Sequence, residues 1–385
     1  MTKRLAFFVD SLAGGGAERV MLNLANEYIK HGYKVDLVLA HKQGDYLDDV
    51  DPNIRIIDLS VTRFWTYFFP LIKYFRLEKP DVMLSATTIL NLLAIMTKLL
   101  SCVKVRLVVS EHINITSFAE TGTLQRPKVV KMLIKWFYPK ADQIIAVSNG
   151  VAKSLSQFSG VPLAQIKAIY NGVIDSEKLH LSQEKVSHEW FGSQQAQEPV
   201  IVAVGRLEAQ KDYSMLLNAF AIVRKARNAK LLVLGEGELR AELENKAIKL
   251  DINQDVLFYG FESNPFKFLA NANVFALSSQ YEGLPTVLIE ALACGCPVVS
   301  TNCPSGPEEI LEQGRFGELV KVGDENAFAA ALLNVLSSQV SDARKKALAM
   351  HGQQFNVKKA FDEYSKVLGL TLNANIVVSK TTKMM

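Results

Sequence analysis

Cysteine is scarce in this sequence, with four residues in 385. That density excludes a small scaffold held together by disulfides. Long apolar runs are missing as well. The most apolar stretch, residues 89–100, is short and interrupted by Asn91, Thr97 and Lys98, whereas a membrane-spanning helix needs about 20 apolar residues. At the N-terminus, Lys3 and Arg4 are followed only by Leu5–Val9 before Asp10; a secretory leader needs roughly 7–15 apolar residues. The expectation is a cytoplasmic protein with reduced thiols. Neither charge sign dominates, since 43 Lys and Arg against 39 Asp and Glu leave a net of +4. The polar composition of a disordered chain is also absent: 49% of residues are apolar and 21% charged, enough apolar surface to offset chain entropy. The length exceeds what one hydrophobic core usually holds, so two domains are expected.

Short apolar runs alternate with longer segments of helical period. Leu5–Val9, Val35–Ala40, Val82–Ser85, Arg106–Ser110 and Gln143–Val147 read as buried strands. Between the first two lies an amphipathic helix, Ala17–His31, with Val20, Leu24 and Tyr28 on one face and Gly32 at its end. A polar stretch, Gln183–Glu198, reads as a linker. The alternation restarts at Val200–Val204 and continues through Leu231–Leu234, Val256–Tyr259, Val274–Leu277 and Val298–Ser300. Strand–helix alternation of this kind predicts parallel sheets covered by helices on both faces. The fold class is therefore α/β, with two doubly wound domains at residues 1–180 and 199–350. A helix near 351–370 is expected to pack back on the first domain, ahead of a loose tail at 371–385. Open parallel sheets bind ligands at the carboxyl ends of their strands, so the expected site is the cleft joining the two sets of strand ends.

The motifs fall just after predicted strands. Ser11–Arg19 carries Gly14, Gly15 and Gly16 between a strand and a helix. It reads either as backbone brought close to an anion at a helix N-terminus or as a tight turn, and it fits neither the P-loop nor the dinucleotide fingerprint. Gly205-Arg206-Leu207-Glu208-Ala209-Gln210-Lys211-Asp212 puts two cations in one loop. A guanidinium and an ammonium suit a phosphate, though both also suit plain solvent, and Asp212 can cap the next helix. Gly235-Glu236-Gly237-Glu238 reads as a turn that brings backbone near a ring or as a plain turn, and Phe258-Tyr259-Gly260-Phe261 as the lining of a nucleobase pocket or as core. The most specific motif is Glu282-Gly283-Leu284-Pro285-Thr286-Val287-Leu288-Ile289-Glu290. Pro285 suits the first position of a helix, and a carboxylate is a good acceptor for sugar hydroxyls. The eight-residue separation places the two carboxylates farther apart than the roughly 5–10 Å of a glycosidase pair, so hydrolysis is disfavoured; a surface helix with a capping acid is the plainer alternative. Cys294, Cys296 and Cys303 do not have a standard zinc spacing and read as buried free thiols. No metal or other cofactor is expected. Ser110-Glu111-His112 ends a strand of the first domain, where a histidine serves either the cleft or the fold.

Taken together, these residues resemble the family-4, group 1 retaining glycosyltransferases of the two-domain GT-B fold, over nearly the whole chain from Gly14 to about Phe361. Pro304-Ser305-Gly306-Pro307 is similar to the branch of bacterial hexosamine transferases that assemble polysaccharides and lipid-linked glycans. The resemblance implies two Rossmann-like domains and a nucleotide-diphosphate sugar donor, a UDP-sugar, held mainly by the second. Arg206 and Lys211 would neutralise the departing diphosphate. Glu290 would bind the ribose and Glu282 the hydroxyls of the transferred sugar. Gly283, Leu284, Pro285 and Thr286 would touch sugar or phosphate, and Glu236 and Phe261 are further candidate substrate-binding residues. From the first domain, Gly15 and Gly16 would approach the phosphate, and His112 would stand beside the sugar. The acceptor implied is a glycan or lipid-linked glycan.

The charge distribution bears on that acceptor. Residues 61–140 hold 12 Lys and Arg against 4 Asp and Glu, whereas residues 1–60 hold 7 against 9. Within the basic region Arg63-Phe64-Trp65, Tyr67-Phe68-Phe69, Lys73-Tyr74-Phe75-Arg76, Lys128, Lys131, Lys135 and Trp136-Phe137-Tyr138 mix aromatics with cations. Such a surface suits peripheral contact with an anionic membrane, or else the aromatics are core and the cations solvated. No nucleic-acid recognition motif is present. Two other functions are consistent with the same fold: a nucleotide-sugar epimerase, which would turn over the donor without an acceptor, and a non-catalytic subunit of glycan assembly.

Overall fold

The computed structural model describes residues 2–13, 15–61, 64–121, 126–192 and 198–370. Gly14, Arg63, part of the expected linker and the expected tail at 371–385 lie outside the described residues, as do the side chains of Phe64 and Trp65. The chain divides into two compact units. One comprises residues 1–172 together with 357–385, the other residues 173–356.

The first unit is built on a parallel sheet of β1 (Arg4–Val9), β2 (Lys34–Leu39), β3 (Arg55–Asp58), β4 (Val82–Ala86), β5 (Arg106–Glu111), β6 (Gln143–Ala146) and β7 (Ile166–Ala168), in the order β3-β2-β1-β4-β5-β6-β7. The central strands are mostly apolar and almost wholly buried because helices cover both faces. Leu5, Phe7, Val9, Leu37 and Leu84 share one buried apolar cluster with Tyr28 of the helix Gly16–Lys30. That helix ends at His31, with Gly32 following at φ +78°, the left-handed position that glycine fills most easily. The helix Val357–Leu368 belongs to this unit, where Phe361 stacks on His31 at 4.2 Å and Tyr28 is hydrogen-bonded to Ser365 at 2.9 Å. The preceding helix, Asp342–Gly352, stays with the second unit.

The second unit repeats the architecture with β8 (Val200–Val204), β9 (Lys230–Leu234), β10 (Val256–Gly260), β11 (Val274–Leu277), β12 (Val298–Thr301) and β13 (Glu318–Val320), again parallel, in the order β10-β9-β8-β11-β12-β13. Ile201, Ala203, Leu231 and Val233 pack against Phe220 and Phe328 in its core. The unit begins at Val173 rather than near 199, so residues 173–180 do not belong to the first domain. The described part of the polar stretch read as a linker packs onto this unit instead. Asn264 donates to the Leu181 carbonyl at 3.0 Å and to Glu184 at 2.9 Å, and the ring of Phe191 meets Phe268 at 5.5 Å. A few apolar anchors in a polar segment are enough to dock it, and their spacing has no period to reveal them.

Candidate functional site

Each sheet changes direction beside its first strand, between β1 and β4 in one unit and between β8 and β11 in the other. Loops leaving neighbouring strands at such a point diverge and open a crevice at the carboxyl ends. In the second unit those two loops carry Arg206–Lys211 and Glu282. The structure joins them directly: Lys211 Nζ lies 2.5 Å from Glu282 Oε1, with the two side chains only 17% and 8% exposed. The same carboxylate oxygen accepts from Ser279 Oγ at 2.7 Å, and Ser278 Oγ donates to the Lys211 carbonyl at 2.7 Å. Gln280 N–H donates to the Gln210 carbonyl at 2.8 Å, and Gln210 Nε2 to the Tyr281 carbonyl at 2.9 Å. Asp212 caps the helix Tyr213–Ala226 by accepting from Met215 N–H at 3.1 Å. Lys211 is thus fixed at both its backbone and its ammonium.

Arg206 is half-exposed and pairs with Glu208 at 2.9 Å. Its neighbour Gly205 lies under the Lys211 stem, so that a Cβ at Gly205 would stand 3.2 Å from Lys211 Cε. The glycines of the next loop serve this close packing. Gly235 has φ +139°, and a Cβ there would fall 2.1 Å from the Gly205 carbonyl oxygen. Gly237 would likewise strike the Leu207 backbone at 2.5 Å. These glycines bring backbone to backbone within the protein. Glu236 between them is ion-paired with Arg240, which also donates to the Phe258 carbonyl at 2.8 Å. Phe258 is core, Tyr259 packs edge-on against Phe268 at 5.2 Å, and Phe261 remains 45% exposed.

Glu282 is buried, and its N–H donates to the Pro304 carbonyl at 3.2 Å. The helix that follows is Thr286–Ala293, with Pro285 as its N-cap rather than its first residue. The loop after β12 crowds Pro285: a Cβ at Gly306 (φ +96°) would lie 2.4 Å from Pro285 Cδ. Gly283, Leu284 and Pro285 are buried, Thr286 is half-buried, and Glu290 is the fifth of eight helical residues and half-buried. Cys303, in the Pro304 loop, is a buried free thiol raised by burial and by the nearby Glu282 charge. Cys294 and Cys296 are also free, the former pushed up to about 12 by burial. Among the described residues, no group of three or more His, Cys, Asp or Glu side chains is arranged to hold a metal.

In the first unit, Gly15 precedes the helix that Gly16 opens, and its N–H donates to Glu18 at 2.7 Å. That N–H is therefore already engaged by a carboxylate. His112 follows β5 directly. Both its ring nitrogens are buried with no hydrogen-bond partner among the described residues. Folded proteins rarely leave such atoms unmatched, so two on one ring are unusual. Burial pushes the imidazole from its ordinary 6.5 down to about 4, which keeps it neutral with one donor and one acceptor at physiological pH. The neighbouring Glu111 is fully buried and held by Thr88, Asn91 and Tyr138. Sequence reasoning missed this set and the pair Ser278–Ser279. The serines' position straight after β11 was the available signal; nothing local pointed to Glu111.

The His112 shift has a measurable consequence. Between pH 6.5 and about 4 the unfolded chain binds a proton at this position and the folded chain does not. Its contribution to stability is complete above pH 6.5 and is lost on acidification through the folded value, by about 3 kcal/mol in full. Glu111 opposes this, because burial raises its carboxyl and the folded state protonates it earlier. In histidine-labelled protein the His112 signal, identified by its absence in His112→Gln, should titrate near pH 4. A midpoint above 6 would show the ring to be solvated.

The comparisons with known proteins agree over both units. Residues 187–351 match the family model described as "Glycosyl transferases group 1", and residues 14–177 match "Glycosyltransferase Family 4". A Campylobacter jejuni N-acetylgalactosamine-N,N'-diacetylbacillosaminyl-diphospho-undecaprenol 4-alpha-N-acetylgalactosaminyltransferase is 30% identical over 95% of this chain and 100% of its own length. The same organism's GalNAc-alpha-(1->4)-GalNAc-alpha-(1->3)-diNAcBac-PP-undecaprenol alpha-1,4-N-acetyl-D-galactosaminyltransferase is 28% identical over 96% and 99%. Among solved structures, Anabaena HepE in complex with UDP-glucose superposes with a TM-score of 0.78 at 21% identity, covering 95% of this chain and 99% of that one. That likeness identifies the fold of both units as GT-B.

Proposed function

The chain belongs to the family-4, group 1 glycosyltransferases, and from that membership we propose that it moves an N-acetylhexosamine or hexose from a UDP-sugar onto a lipid-linked glycan, with retention of anomeric configuration, in cell-surface polysaccharide assembly. The observation that carries this reading is the Lys211–Glu282 pair at the carboxyl ends of β8 and β11, with Arg206 in the same loop. The C. jejuni relatives, by their names, act on undecaprenyl-diphosphate-linked glycans, and HepE was solved with UDP-glucose.

Each residue then has a task. Breaking the bond from sugar to diphosphate leaves negative charge on the phosphate and positive character on the ring. Arg206 presents a guanidinium fork to the diphosphate. Lys211 has three ammonium donors and directs one to Glu282, leaving two for phosphate oxygens. The N-terminus of the helix Thr286–Ala293 adds a favourable potential near Leu284 and Thr286. Glu282 accepts from hydroxyls of the transferred sugar and Glu290 from those of the ribose, with Glu236 and Phe261 beside the nucleoside. His112, neutral, offers one donor and one acceptor to the sugar. The departing phosphate takes the acceptor's proton on the same face of the sugar, which yields retention. A screen of nucleotide sugars by thermal shift tests the reading: a UDP-sugar at 100 times its Kd should add about 2.7 kcal/mol of stability. No shift with any nucleotide-diphosphate sugar would overturn it.

The basic region supports peripheral docking at the inner face of the plasma membrane, next to a lipid-linked acceptor. No described helix is long and apolar enough to cross a membrane. The helix Pro127–Phe137 buries only Val130 and Ile134. At 100° per residue, its exposed Lys128, Lys131 and Lys135 form one stripe, and Val129, Met132 and Trp136 form the next. Trp136 is 68% exposed. A helix lying in a bilayer interface has this arrangement. Binding to vesicles containing phosphatidylglycerol should weaken with salt and fall about tenfold or more in Lys131→Glu/Lys135→Glu/Trp136→Ser, given about 1 kcal/mol per basic residue. Failure of the wild type to bind such vesicles at low salt would remove this part of the proposal.

A further inference from the structure

Glu111 is a buried acid that the reaction outlined above does not use. It is 0% exposed at the last position of β5, and among the described residues it has no ion pair. Acidic residues are almost never fully buried unless paired, and an unpaired buried carboxylate is destabilising. This one is held by three neutral donors from two elements. Thr88 Oγ1 donates to Oε2 at 2.9 Å, Asn91 Nδ2 donates to Oε1 at 3.0 Å, and Tyr138 OH donates to the same oxygen. Thr88 and Asn91 lie in the first turns of the helix Thr88–Ser101, and Tyr138 opens the turn Tyr138–Lys140.

The grip extends to the adjoining backbone. Asn91 Nδ2 also donates to the Ser110 carbonyl at 2.9 Å, Thr87 N–H donates to that carbonyl at 3.2 Å, and Val147 N–H donates to the Glu111 carbonyl at 3.1 Å. Thr87 sits at φ +75°, a strained conformation for a β-branched residue that persists only where the surroundings enforce it. The residue immediately after this braced segment is His112, whose two ring nitrogens have no hydrogen-bond partner among the described residues. With no hydrogen bond from those residues to hold the ring, the backbone at 110–111 is what sets its place.

We propose that Glu111 is a positioning residue: its carboxylate draws the start of the helix Thr88–Ser101 and the Tyr138 turn onto the end of β5 and so fixes the place of the His112 imidazole. The inference rests on the reading of His112 as a sugar-facing group, and it deepens that reading. A glutamine at 111 keeps the grip without the charge. Its carbonyl accepts from Tyr138 and Asn91, and its amide donates to the Thr88 hydroxyl. A leucine fills the volume but removes the acceptor that Thr88, Asn91 and Tyr138 share, while Asn91 keeps its bond to the Ser110 carbonyl.

The test uses the full chain with Glu111→Gln and Glu111→Leu, histidine-labelled for NMR, and follows UDP release from UDP-N-acetylgalactosamine. In Glu111→Gln the His112 signal should coincide with that of the wild type, and kcat should stay within about threefold. In Glu111→Leu the His112 signal should move or broaden, and kcat should fall about tenfold or more at little-changed KM. A folded Glu111→Leu with the wild-type His112 signal and kcat would overturn the proposal, as would a Glu111→Gln that falls as far as the leucine variant. The NMR arm needs no sugar, so it reports on the grip by itself. Separately, a His112→Ala enzyme releasing UDP at the wild-type rate would defeat the reading of His112 while leaving the structural grip measurable.

Discussion

Replacing Lys211 by alanine should lower the transfer rate about 10²- to 10³-fold, the usual cost of removing one preorganised group that stabilises developing negative charge. It should also lower stability. Among the described residues Glu282 would keep only Ser279 as a partner on its bonded oxygen, and an uncompensated buried charge costs about 3 kcal/mol. The two effects separate in the double variant Lys211→Ala/Glu282→Gln. The neutral amide no longer needs a cation, so Tm should recover, whereas kcat should stay low because the ammonium is still missing. Recovery of both would make Lys211 a support for Glu282 and nothing more. A single Lys211→Ala variant with the wild-type kcat would take the leaving-group role away altogether.

His112→Ala should cost about 10²-fold or more in kcat and leave UDP affinity nearly unchanged. Arg206 and Lys211 belong to the second unit, whereas His112 follows β5 in the first. A neutral imidazole with its pKa pushed down to about 4 contributes a hydrogen bond, not a charge. The loss should therefore be the same from about pH 6 to 8, without a step at the ordinary histidine value. Parallel falls in UDP affinity and rate, or an unaffected rate, would place the ring elsewhere in the reaction.

How far the fold could be read from the sequence depended on strand position. The central strands β1, β4, β5, β8, β9 and β11 are covered on both faces, and each carries a run of at least three apolar residues. Arg55–Asp58, Ile166–Ala168 and Glu318–Val320 went unread because they are edge strands of three or four residues. Each has a free edge, and Arg55, Lys167 and Glu318 are exposed. A strand that short has no pattern to count.

The site was legible in parts. The cations of Gly205–Asp212 and the acid at Glu282 each stood out as motifs. Their contact did not, because it spans 71 residues and depends on β8 and β11 lying side by side. Gly235 and Gly237 suggested room for a ligand, yet they make room for the backbone of Gly205 and Leu207. A glycine reports a close approach without saying what approaches. Glu111 drew no notice of its own because its meaning lies in Thr88, Asn91 and Tyr138, which no local spacing connects to it.

The central claim is that Arg206 and Lys211 together capture a diphosphate, and calorimetric titration of UDP and UMP into the wild type and into Arg206→Ala/Lys211→Ala tests it most directly. The second phosphate should make UDP bind the wild type about tenfold tighter or more, worth about 1.4 kcal/mol, and that advantage should disappear in the double variant. Equal affinities for UDP and UMP in the wild type, or an undiminished preference for UDP once both cations are gone, would contradict it.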